Sequence, residues 1–83
     1  AARHKPAGPV HVGEIMRTLR ENAGLTRQQM GAATGIAAST IRNIEMGRTL
    51  AHAWTWTRLL KHPALSDLPK LAAEAGLKPP LAT

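Results

Sequence analysis

Between Leu25 and Gly47 the chain reads LTRQQMGAATGIAASTIRNIEMG, and only Gly35 and Ile36 separate two short segments of helical spacing. This constrains the fold more than any other feature of the chain. Thr26 is placed to cap the first segment, with Gln29 three residues on to complete a capping box. Leu25 can staple against Met30, and the segment runs to about Thr34. Gly35 is expected at positive φ, where it reverses the chain, and Gly31 falls where the two helices must cross closely. The second segment turns Ile41 and Ile44 inward, and Ile36 and Ile41 can form another staple. Its expected N-cap is Ala37, where Ser or Thr is preferred at a gain of about 0.5–2 kcal/mol; Ser39 is the alternative cap. What remains on the outer side is Ala38, Ser39, Arg42, Asn43 and Met46. Small residues at the start of a helix with hydrogen-bonding groups one turn later suit entry into a DNA major groove.

The rest of the chain reads as further helices around this pair. Val12, Ile15, Met16, Leu19 and Ala23 keep a helical period that Gly24 ends. A fourth helix is expected over Ala51 to Lys61, stopping before Pro63 with Trp56, Leu59 and Leu60 inside. Trp54 and Trp56 lie two apart, so one helix face cannot bury both; Trp56 is assigned to the core and Trp54 is the candidate for a dimer contact. A last helix is expected from a Ser66 cap through Pro69 to Ala75, with Leu68, Leu71, Ala72 and Ala75 as its apolar stripe and Gly76 as its stop. The expected architecture is a compact all-α, five-helix bundle: a basic flexible arm over residues 1–10, a domain over 11–76 with the paired helices at 26–47, and a tail over 77–83. The absence of Phe and Tyr and the scarcity of Val and Ile favour helices over a sheet.

Without cysteine the chain has no disulfide framework, thiolate nucleophile or Cys-based zinc site, and its four histidines show no ligand spacing, so neither metal nor cofactor is expected. No apolar run approaches the ~20 residues that span a bilayer, and nothing in the opening residues reads as a signal peptide. A cytoplasmic, nucleoid-associated protein with no membrane partner is the expectation. The chain begins with Ala rather than Met, which leaves open a removed initiator or a piece of a longer protein.

A formal charge of +6 points to a polyanionic partner. Its distribution says more than its size. Between Asn22 and Ser66 the sole acid is Glu45, against Arg27, Arg42, Arg48, Arg58 and Lys61.

The block TRQQMGAATGIAASTIRNIEMG, extended back through RTLRENAGL, resembles the helix-turn-helix of the phage-repressor and Cro-like (XRE) family. The resemblance covers residues 12 to 48 and fades beyond. Gly31 stands where Ala is commoner, and Ala37 where Ser or Thr usually caps. The resemblance implies that Ala38, Ser39, Arg42 and Asn43 face base edges, and that Arg27, Gln28 and Arg48 contact phosphates. It also implies that Arg20 and Glu45 form a structural ion pair, which would leave the DNA face without an opposing negative charge. Arg42 suits a guanine and Asn43 an adenine. The plainer reading, ordinary solvated helix residues, competes for each. Arg3 and Lys5 could reach a groove or backbone from the arm, but disorder is the expected reading there.

A sequence-specific double-stranded DNA-binding transcriptional regulator, a repressor without catalytic activity, is the leading expectation. It would act as a homodimer on an inverted repeat, with Leu68 and Leu71 as the candidate dimer surface unless that helix packs inward. The alternatives are an antitoxin-type interaction module with a protein partner, such as a toxin or the polymerase, and the DNA-binding part of a larger DNA-processing protein. Nothing in the chain reads as a catalytic set: it has no paired carboxylates, no phosphate-cradling glycine loop and no Ser/His/Asp grouping.

Overall fold

Helical periodicity places Ile15 and Met16 on the inner face of the first helix, α1 (Val12–Asn22), and both are buried. The computed structural model describes residues 11–48 and 51–80. The expected basic arm, with Arg3 and Lys5, and the end of the tail lie outside the described residues. Four further α-helices follow: α2 (Arg27–Thr34), α3 (Ala38–Glu45), α4 (Ala53–Leu60) and α5 (Leu68–Glu74). Among the described residues there is no strand, so the architecture is all-α as expected.

The start of α2 follows the sequence signal closely. Gln29 N–H donates to Thr26 Oγ1 at 3.0 Å, and Thr26 N–H donates to Gln29 Oε1 at 2.9 Å, closing the capping box. The helix ends at Gly35, whose φ of 79° lies in the left-handed region. That conformation turns the chain in two residues and lets α3 begin at Ala38. Gly31 is needed for the crossing: a Cβ there would lie 2.5 Å from the Ile36 carbonyl oxygen.

Ala37 is the N-cap of α3 and offers no side-chain bond, so the later start at Ser39 does not occur. Two other boundaries differ from expectation. The fourth helix begins at Ala53 behind His52, later than Ala51. The expected Ser66 cap is also absent. A 3-10 turn, Pro63–Leu65, precedes the last helix, held by the Ala64 N–H donating to His62 Nδ1 at 3.0 Å. Ser66 ends that turn, its hydroxyl donating to the Pro63 carbonyl at 3.0 Å, and Asp67 becomes the N-cap of α5. A proline that starts one turn and a histidine that caps it take up the serine before the helix can use it.

The core gathers Ile15 and Met16 from α1, Met30 from α2, and Ile41 and Ile44 from α3. Trp56 and Leu59 from α4, Leu65 from the 3-10 turn, and Leu68 and Ala72 from α5 complete it, with Ile36 from the α2–α3 turn. Leu68 is 0 % exposed and Leu71 packs half-buried against the same cluster. The candidate dimer surface at Leu68 is therefore corrected: α5 turns Leu68, Leu71 and Ala72 inward to close the bundle over α1, while Ala75 stays exposed. Leu77 folds back onto the core as well, its N–H donating to the Ala72 carbonyl at 2.8 Å.

Candidate nucleic-acid interface

The four α3 residues expected at base edges share one side of that helix, since 38 and 42, and 39 and 43, are each one turn apart. Ser39 and Arg42 are exposed, and Ala38 and Asn43 are half-buried. Their backbone is held from behind by Ile41 and Ile44, both in the core. Gly47 ends α3 at φ 71°, and the Arg48 N–H then donates to the Asn43 carbonyl at 2.9 Å. This closure brings exposed Arg48 back against the last turn of the helix. Gln28 is exposed one residue into α2.

A charge cluster joins α3 to α1 and α2. The Glu45 carboxylate, with 0 % of its side chain exposed, accepts from Arg20 Nε at 2.7 Å and Arg20 Nη2 at 3.0 Å. Arg20 Nη1 also donates to the Leu25 carbonyl at 2.7 Å, tying α1 and α3 to the start of α2. The hydrogen bond to Glu45 is the main reason the Arg20 pKa is raised; burial opposes it. Arg20 and Glu45 thus form an ion pair in the structure, as the resemblance implied. Among the described residues no buried side-chain polar atom lacks a partner.

Sequence reasoning did not find a third member of this cluster. Arg27 Nε donates to Glu45 Oε1 at 2.9 Å, so the residue expected only at phosphate is also bound to the protein's own carboxylate. The two residues are 18 apart in sequence, and no periodicity signals such a pair. Gly13 was missed for a similar reason. A Cβ there would collide with the Ile44 carbonyl oxygen, so this glycine is what lets α1 seat against α3.

The two tryptophans differ in burial as the sequence implied. Trp56 is buried, whereas Trp54 is 59 % exposed with the Arg58 guanidinium 5.7 Å from its ring centre.

A family profile described as a helix-turn-helix domain matches residues 11–78, most of the chain. The chain belongs to the helix-turn-helix domain family. No curated protein and no solved structure matches it significantly. Membership agrees with the resemblance to phage-repressor-type domains, and it gives the α2–α3 pair its coarse meaning: this is a DNA-binding fold. No helix among the described residues is long and apolar enough to cross a membrane.

Proposed function

We propose that the protein is a sequence-specific regulator of transcription, a repressor, that reads double-stranded DNA with α3 in the major groove. The observation that carries this reading is the outer face of α3. It presents Ala38, Ser39, Arg42 and Asn43, while the nearest acid, Glu45, is buried and held by two guanidiniums. A phosphate ridge approaching this face meets cations and no free carboxylate from α3. Arg42 would bond a guanine edge and Asn43 an adenine edge. Arg27, Gln28 and Arg48 would bind the backbone on either side and fix the register. Such a regulator needs no catalytic group.

Binding as a homodimer to an inverted repeat, with half-sites ~34 Å apart, is the geometry this mode of reading favours. With Leu68 committed to the core, exposed Trp54 is the apolar residue best placed to take part in contact with another chain. The same residue supports a second reading, in which a protein partner docks on α4. An exposed tryptophan beside an arginine has the composition of an interface anchor.

Titration of labelled duplexes across a salt series tests the proposal. Log affinity is expected to fall linearly with log salt, by about 0.9 per phosphate neutralised. Failure to bind any duplex at low salt, with a co-expressed protein partner retained instead, would move the function to the second reading.

A further inference from the structure

Arg27 carries five N–H donors and spends one of them, on Nε, in its bond to Glu45. Neither Nη group has a hydrogen-bond partner among the described residues, and 29 % of the side chain stays exposed. Arg20 is used in the opposite way. Its Nε, Nη1 and Nη2 all bond inward, and its side chain is 8 % exposed. One carboxylate therefore holds two guanidiniums in two roles. One locks the helices together; the other is gripped by its stem, with its forked end left over.

The charges next to this cluster are Glu14, Arg17 and Glu21. Arg17 is paired with Glu21 at 3.1 Å, and Arg20 Nη2 stands 3.9 Å from that same carboxylate. Arg17, like Arg27, bonds only through Nε, but to a half-exposed carboxylate on its own helix, whereas the carboxylate that holds Arg27 is fully buried.

We infer that Glu45 is a positioning residue for DNA binding: by accepting from Arg27 Nε it fixes the guanidinium so that both Nη groups are presented to a backbone phosphate. The inference rests on the DNA-binding reading above. A guanidinium held at Nε can still bond a phosphate through its two amino groups, and its rotamers are already restricted before DNA arrives. A free surface arginine must lose that freedom on binding. Lysine is a poorer substitute, because its ammonium is a point charge on a flexible stem and cannot be held at one nitrogen while a planar fork is presented to phosphate.

Affinities for a labelled duplex, measured over a salt series with wild type, Arg27→Lys, Arg27→Gln and Glu45→Gln, test this. Arg27→Lys should weaken binding nearly as much as Arg27→Gln, each by roughly threefold or more with a shallower salt slope. Glu45→Gln gives the sharper contrast. Removing a negative charge near DNA should tighten binding if charge alone matters, but loss of positioning predicts weaker binding. Thermal melting of each variant keeps folding separate from binding. Should Glu45→Gln prove too unstable to assay, the lysine comparison decides alone. Arg27→Lys with wild-type affinity and slope, or a folded Glu45→Gln that binds more tightly, overturns the inference while leaving DNA binding intact. A wild-type protein that binds no duplex overturns both.

Discussion

Arg42 and Arg48 are both exposed, six positions apart at the end of one helix, yet they have different work in this account. Arg42→Ala should lower discrimination between a preferred duplex and a mismatched one by about 1–3 kcal/mol, with little change on unrelated DNA. Arg48→Ala should weaken all duplexes alike and reduce the salt slope by about 1. Competition assays with two duplexes separate these outcomes, and identical losses for both variants would remove the division of labour. Deeper in the molecule, Arg20→Ala should destabilise the fold by about 3–5 kcal/mol, because Glu45 would lose two of its three bonds while remaining buried. Denaturant titration measures this. The raised pKa of Arg20 makes its contribution complete at every pH below the unfolded value and lost only above the folded one, so it should stay constant to about pH 10. At this scale the sequence disclosed the Arg20–Glu45 pair only through the family resemblance. The Arg27–Glu45 bond stayed hidden, because linear spacing carries no information on a contact made through a folded turn.

At the scale of the helices, what was legible depended on local chemistry. Thr26 and Gln29 sit three apart and bond each other, so the start of α2 could be read directly. Gly35, Gly47 and the alternation of apolar positions marked α3 in the same local way. The start of α5 could not be read, since the competing turn depends on which His62 nitrogen meets the Ala64 N–H. Gly13 was equally silent: the need for it arises from α3 across the bundle. Two substitutions test the helix pair. Ala37→Ser supplies the missing cap and should stabilise the domain by about 0.5–2 kcal/mol, seen as a higher melting temperature. Gly35→Ala places a side chain at φ 79° and should cost about 1–2 kcal/mol. An unchanged melt for Gly35→Ala would mean that the turn relaxes without strain.

For the whole molecule, the number of large apolar residues available decides how they are used. With no Phe or Tyr, the core draws on leucines from every later element, and Leu68 is spent inside. Leu68→Ala should therefore destabilise the fold by about 2–5 kcal/mol and leave the oligomeric state of the folded protein unchanged in sedimentation. The broad plan, a helical bundle organised around a helix-turn-helix, was legible because the pattern of caps, stops and apolar positions agrees along most of the chain. The fate of α5 was not, because its stripe fits a neighbouring helix as well as a second copy.

The central claim, that α3 reads base edges, is tested most directly by in-vitro selection of bound duplexes from a random pool, run in parallel with wild type, Arg42→Ala and Asn43→Ala. Wild type should enrich one motif, and each variant should lose information at one or two adjacent positions of it. A pool that shows no enrichment, or a motif unchanged by both substitutions, would contradict it.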